Sequence, residues 1–183
     1  RAIASSFQTQ IPFKIAVATI PGIISGKYIL KIAKKVKFNL IVLRLYQIYG
    51  PNQSINRLIP IVINSCLKNQ KFNCSTGLQK RDFLYIEDLV NLLNKIICSK
   101  KKVNGIFNVG SCAPIKVKDL INLINNKIKK GYPQYGQIVM RKDEQMEYFP
   151  NTKKISKFFS WKPKMSIKLG LNKTINSYKK ELS

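Results

Sequence analysis

Apolar positions along the chain alternate between two spacings, one close to four residues and one continuous. From Lys27 to Lys37, Tyr28, Ile32 and Val36 recur every four residues with Leu30 and Ala33 beside them, which predicts a helix. Leu40-Ile41-Val42-Leu43 is a continuous branched run and reads as a parallel strand covered on both faces. A loop at Pro51–Ser54 leads to a helix over Arg57–Leu67, and Phe72-Asn73-Cys74 reads as a short strand. Gly77 marks a turn, and Phe83-Leu84-Tyr85 is another extended piece. Ile86–Cys98 carries Leu89, Leu93, Ile96 and Ile97 on one stripe, with Glu87 and Asp88 where a helix N-terminus favours negative charge. A strand over Gly105–Val109, a helix over Val117–Ile128 and a strand over Gln137–Met140 follow. Thr152 is placed to cap a short helix, Trp161-Lys162-Pro163 to turn, and Ile167–Tyr178 to form a last helix. The first 26 residues have poor periodicity: Ile3–Phe7 reads as a strand end, and Pro12, Pro21, Gly22 and Gly26 break the rest. Strands alternating with helices predict an α/β fold.

The 183 residues suffice for one domain with a real core, or for part of something larger. The first residue is Arg1, which is not expected to be a native translation start. Hydrophobic residues at 45% and charged residues at 22% describe a soluble globular protein. No apolar run reaches transmembrane length. The Ile11–Ile24 stretch is broken by Pro12 and Pro21, carries Lys14 and lacks a cleavage site, so it is not read as a signal peptide. The net charge of +25 would suit nucleic acid. Its lysines, however, are spread through every segment among Ile and Asn, and no RNA-binding aromatic motif, helix-turn-helix pattern or zinc spacing accompanies them. A basic nucleic-acid-binding protein is therefore the lesser alternative. The same field favours smaller polyanions, including nucleotide diphosphates. The absence of histidine removes histidine triads and histidine zinc sites. Cys66, Cys74, Cys98 and Cys112 form no CxxC pair and read as reduced thiols of a cytoplasmic protein, with no metal site.

Three segments carry chemistry. Leu43-Arg44-Leu45-Tyr46-Gln47-Ile48-Tyr49-Gly50-Pro51 ends a buried strand at a turn. In doubly wound sheets ligands sit beyond the carboxyl ends of the strands, so Tyr46, Gln47 and Tyr49 would line a crevice; the plainer reading is aromatic packing at a strand end. Arg81-Asp82-Phe83-Leu84-Tyr85-Ile86-Glu87-Asp88 places a guanidinium before an apolar run. Its planar fork of donors matches phosphate oxygens in pairs; the plainer reading is a surface pair with Asp82 or Glu87, worth little. Phe107-Asn108-Val109-Gly110 closes the set, and Arg141-Lys142-Asp143-Glu144 offers a second cationic arm.

In this order and spacing the segments resemble the C-terminal half of the extended short-chain dehydrogenase/reductase family, the NAD(P)-dependent nucleotide-sugar epimerases, dehydratases and 4-ketosugar reductases. The resemblance runs from about Lys27 to the end. It implies an α/β fold: an incomplete Rossmann-like, doubly wound parallel sheet with its C-terminal strands, plus a small α/β substrate-binding domain. Residues 1–52 would be the remnant of the NAD(P)-binding domain and 53–183 mainly the substrate domain, with about 81–110 returning to the Rossmann sheet. Tyr46 would lie near the nicotinamide. Gln47 stands where the family has an Asn that touches substrate, and so belongs to both cofactor and substrate. Arg81 would bind the nucleotide diphosphate, and Arg141 would be its second ligand, with Lys142-Asp143 in place of a Pro-Gly turn. Arg57, within Asn56-Arg57-Leu58-Ile59-Pro60, would pass under the sugar nucleotide. Asn151 replaces an Asp before the short helix, and Ser160 a Gly before Trp161.

The family also uses a Gly-rich loop on the cofactor pyrophosphate and a Tyr-x-x-x-Lys pair as acid/base. The sequence has no such loop. Lys27 has Ile23 four residues earlier, and the alternative register places Ala18 and Gly22 at the pair, so neither supplies the Tyr. Ser5 or Ser6 matches the family's substrate-bonding Ser/Thr, but the segment from there to Lys27 is short and altered. The expectation is a C-terminal fragment from a truncated or degraded gene copy, binding the sugar-nucleotide diphosphate. The alternative is a catalytically inactive nucleotide-sugar-binding remnant or subunit. NAD or NADP would be the cofactor of the intact enzyme. The partner would be a second copy, docking through the Lys27–Lys37 helix, or a separate N-terminal half.

Overall fold

The computed structural model describes residues 14–19, 23–37, 39–101 and 103–182, and side chains among them from Lys27 to Glu181. Ser5, Ser6 and the Ile3–Phe7 strand end lie outside the described residues. A three-stranded parallel sheet has the order β1 (Lys14–Thr19), β2 (Leu40–Leu45), β7 (Gly105–Val109). Helix α1 (Ile23–Lys35) crosses from β1 to β2. Strand β1 falls where the Pro and Gly residues predicted breaks. Its partner β2 supplies what local pattern lacked, a full ladder from Lys14 opposite Leu40 to Thr19 opposite Leu45.

Both faces of β2 are buried, as a continuous branched run requires. Leu40 and Val42 pack with Ala33, Leu30 and Ile106 beneath α1. Ile41, Leu43 and Leu45 pack with Phe107 and Val109 against α3 (Ile86–Ile97), α5 (Lys153–Phe159) and Trp161. Among the described side chains of α1, Leu30 and Ala33 turn to the sheet. The stripe that repeats every four residues points outward, with Tyr28 65%, Ile32 42% and Val36 60% exposed. One helix flank suffices to cover the sheet, and the second apolar flank is left uncovered by the described residues.

A second core lies beyond the carboxyl end of β2. Helices α2 (Leu58–Leu67), α4 (Val117–Ile128) and α6 (Ile167–Leu182) bury Ile59, Ile63, Leu120, Ile124 and Leu171 around Tyr49, Phe72 and Phe83. Short strands edge this unit. They are β3 (Gln47–Tyr49) parallel to β6 (Phe83–Tyr85), β4 (Lys71–Asn73) parallel to β9 (Tyr132–Gln134), and β5 (Lys80–Arg81) between β8 (Ile115–Lys116) and β10 (Glu147–Tyr148).

Two local expectations are corrected. The strand beside β4 is Tyr132–Gln134, not Gln137–Met140. Gly131, at φ +88°, packs against the Cα of Cys66 and leads directly into the pairing, which leaves Val139 92% exposed and Ile138 with one strand-like bond, from its N–H to the Cys74 carbonyl. Thr152 does not cap α5 with its side chain. The Asn151 side-chain oxygen takes the Lys153 N–H at 3.0 Å instead, while the Thr152 hydroxyl sits 2.6 Å from Cys112 Sγ.

Candidate functional site

The end of β2 delivers its next residues to the boundary between the two cores. The Tyr46 N–H donates to the Val109 carbonyl at 3.2 Å, which fixes where the chain leaves the sheet. Strand β3 then pairs with β6, Gln47 opposite Phe83 and Tyr49 opposite Tyr85. Gln47 is exposed on the rim of a cavity of about 360 Å³ whose wall also includes Arg81, Asn73, Ser75 and Gln79, with Phe72, Val62 and Ile121 as its apolar floor. Two of the predicted binding residues, Gln47 and Arg81, thus face one hollow beyond the carboxyl end of a parallel strand.

Arg81 is half-buried, and its partner is neither Asp82 nor Glu87. One guanidinium nitrogen pairs with the Glu144 carboxylate and the other donates to the Lys80 carbonyl at 2.7 Å. Glu87 pairs with Lys173. Asp82 is fully buried; its Oδ1 accepts the Ser111 N–H at 2.6 Å and its Oδ2 has no partner. Burial pushes the Asp82 carboxyl up, and the backbone N–H groups of Ser111, Cys112 and Ala113 offset part of that. Asp82 therefore anchors the loop after β7 and does not orient Arg81. Gly110 in that loop has no room for a Cβ, which would strike Pro150 and the Asp82 carboxylate. Asp88 is buried in the first turn of α3 and takes the Lys164 and Met165 N–H groups, both at 2.9 Å, so it holds the segment after Trp161.

Tyr46 stacks on Tyr148, with ring centroids 5.1 Å apart. Tyr148 lies opposite Arg81 in the β10–β5 ladder. Burial and the neighbouring Tyr46 raise its phenol, while Arg44 and Arg81 pull the other way. Tyr148 and Glu144 are the residues that sequence reading did not single out. Their one available signal was scarcity: with eight acids against 33 Lys and Arg, an acid two or three residues after Arg141 stands out. Lys142 and Asp143 form a turn that returns the Glu144 N–H to the Arg141 carbonyl at 3.1 Å, as a Pro-Gly pair would. The Arg141 and Arg57 side chains are exposed and stand outside the cavity wall. Lys27 is exposed on α1, in a separate groove with Leu30, Asn104 and Gly105. Of the two Tyr-x-x-x-Lys registers, only Ile23 and Lys27 share a helix, because Ala18 lies in β1.

A larger hollow, of about 620 Å³, lies between α3, α5 and the Trp161 turn. We set it aside because the Asp88 carboxylate in its wall is already satisfied and its lysines, Lys95, Lys162 and Lys164, are exposed. Among the described residues no group of His, Cys, Asp and Glu could hold a metal ion, and no helix is long and apolar enough to cross a membrane.

A parallel sheet with helices on both faces, and a hollow past its carboxyl edge beside a smaller α/β unit, define a Rossmann-type fold. The model of the NAD dependent epimerase/dehydratase family matches residues 23–110, which bears out the resemblance of the chain to that family. CDP-abequose synthase of Salmonella typhimurium is 32% identical over 139 residues, 73% of this chain and 46% of the relative. The dTDP-D-glucose 4,6-dehydratase of Mus musculus is 30% identical over 154 residues, 80% of this chain and 43% of the relative. Among solved structures, dTDP-glucose 4,6-dehydratase from Bacillus anthracis in complex with NAD superposes with a TM-score of 0.75 at 25% identity, covering 84% of this chain and 49% of that one. The chain thus spans about half the length of the relatives it matches.

Proposed function

We propose that this chain is the nucleotide-sugar-binding half of an NAD(P)-dependent epimerase, dehydratase or 4-ketosugar reductase, and that Arg81 holds the nucleotide diphosphate. One observation carries the reading: Arg81 and Gln47, brought from separate segments, line the same cavity at the carboxyl edge of the sheet. Its walls suit the ligand, with a cation for the diphosphate, a polar amide at the sugar end, and an apolar floor for the rest. Arg57 and Arg141, exposed in the free chain, are the candidates to close on the ligand from outside. The intact enzyme would work on the sugar by oxidation, isomerisation or elimination, in the cytoplasm, where four free thiols are at home.

The residues fit only one end of NAD or NADP. Tyr46, stacked on Tyr148, offers an aromatic face for the nicotinamide, and hydride transfer is what the cofactor would supply. Nothing in the sequence supplies the Gly-rich turn for its pyrophosphate. Without that turn and without a Tyr four residues before Lys27, the 183-residue chain on its own is expected to bind and not to turn over. The outward apolar flank of α1 is the proposed contact for a second copy or for a separate N-terminal half.

Calorimetric titration of the purified chain with UDP-, dTDP-, GDP- and CDP-sugars tests the reading. Binding of at least one, lost in Arg81→Ala, is expected. No binding, or binding indifferent to Arg81, overturns it, and cofactor-dependent turnover by the chain alone overturns the inactivity.

A further inference from the structure

The cavity wall has a direction. Gln79, at the bend that enters β5, Arg81 in β5 and Phe83 in β6 are alternate residues of one segment and all line the hollow, with Gln47 paired beside Phe83. Side chains two apart on a strand share a face and stand about 7 Å apart. Read along the run, the wall presents an amide and a ring at Gln47 and Phe83, then a cation at Arg81, then a second amide at Gln79. A nucleotide sugar has three parts in the same succession: sugar, diphosphate, nucleoside.

Gln79 carries the second observation. Its side-chain carbonyl oxygen is buried and has no hydrogen-bond partner. The other such atoms among the described residues belong to Arg44, Tyr49, Gln53 and Asp82, and none of those residues lines this cavity. A buried acceptor left unpaired is costly, and in the wall of a cavity an incoming donor can complete it. The Gln79 backbone carbonyl is already taken by the Val117 N–H at 3.0 Å, so the backbone there is fixed and the side chain alone is free to serve a ligand. Phe72, Val117, Ile121 and Ile138 around it suit a flat, largely apolar group.

Resting on the nucleotide-sugar reading of this cavity, we propose that Gln79 is a specificity-determining residue that reads the nucleobase, its side-chain carbonyl accepting an N–H from the base edge. The N3–H of uracil or thymine and the exocyclic amine of cytosine are donors of the right kind, and Gln79 lies two residues before the Arg81 that holds the diphosphate. Bases are told apart by which donor reaches that oxygen.

The test compares wild type, Gln79→Leu and Arg81→Ala in calorimetric titrations with UDP, CDP, ribose 5-phosphate and inorganic pyrophosphate, with thermal melts of each free protein. For Gln79→Leu the expected result is about five- to tenfold weaker binding of UDP, CDP or both, the worth of one hydrogen bond, with pyrophosphate and ribose 5-phosphate unaffected. Its melting temperature should hold or rise, because an orphan acceptor has been removed; a merely structural glutamine would lower it. Unchanged UDP and CDP affinities, or an equal loss for pyrophosphate, overturn the proposal. So does a loss for ribose 5-phosphate, which would put the contact on the ribose. Wild type that binds no nucleoside diphosphate sinks the nucleotide-sugar reading and this inference together. Binding that needs Arg81 and ignores Gln79 sinks this inference alone.

Discussion

Glu144 occupies the guanidinium that a diphosphate would need, and its removal should therefore tighten binding. The Arg81–Glu144 pair is mostly enclosed, with side-chain exposures of 12% and 28%. Two unit charges about 4 Å apart attract by about 4 kcal/mol at an effective dielectric constant of about 20, before desolvation is subtracted. Fully exposed pairs net about 0.2–1 kcal/mol. A pair enclosed to this degree falls between, at about 1 kcal/mol. An incoming diphosphate must displace the carboxylate or share the cation with it, and either way meets that cost. Glu144→Gln keeps the shape and one acceptor for Arg81 but removes the competing charge. UDP and inorganic pyrophosphate should then bind about fivefold tighter by calorimetry, since about 1.4 kcal/mol is tenfold. The gain should shrink as salt is raised. The free protein should melt about 2–4 °C lower, having lost the pair. Opposite signs, affinity up and stability down, mark a placeholder. Affinity that falls together with stability would refute the reasoning and show that Glu144 builds the site.

Three further outcomes follow from contacts elsewhere. Gly170→Ala in α6 should destabilise by about 1–3 kcal/mol in denaturant melts despite the better helix propensity of Ala, because its Cβ would strike the Tyr49 hydroxyl; Tyr49→Phe removes that hydroxyl, which is buried without a partner, and the double variant should recover part of the loss, the rings at 49 and 85 still crowding the new methyl. Ser160→Gly should raise the melting temperature by about 2–4 °C, since Ser160 ends α5 at φ +47°, where a side chain costs about 1 kcal/mol. Asp82→Asn should flatten the pH dependence of stability: the Asp82 carboxyl is held above its unfolded value of about 3.9 by burial, so its contribution is fullest below that pH and declines as pH rises through the folded value. The variant's stability relative to wild type should therefore climb from about pH 4 upward and then level; a difference independent of pH would contradict the burial argument.

Strong local periodicity was legible without the structure. The Gly105–Val109 strand and the Val117–Ile128 helix stand at their predicted ends. The continuous branched run at Leu40 is a parallel strand buried on both faces, as its composition required. Strand β1 and the Tyr132–Gln134 strand were not legible, because each is defined by a partner and by a Gly or Pro that pattern reading counts as a break. The outward flank of α1 could not be told from its inner flank, since both are apolar. The rule that ligands gather past the carboxyl ends of strands set Tyr46, Gln47 and Tyr49 in a crevice. Of these, Gln47 lines the cavity while Tyr49 is buried in the second core. Arg81 was legible from guanidinium chemistry and the family resemblance. Glu144 and Tyr148 were not, because β10 and the turn before it return them to Arg81 from 63 residues further along the chain for the ion pair, and nothing local encodes that return.

The central claim is that the Arg81 guanidinium holds a pyrophosphoryl group in the hollow it shares with Gln47. A crystal structure of the 183-residue chain grown with UDP or CDP tests it most directly. The account predicts diphosphate oxygens within hydrogen-bond distance of Arg81, Glu144 moved aside, and the base on the Gln79 side. Diphosphate bound on the exposed lysines, with the Arg81–Glu144 pair intact, would contradict it.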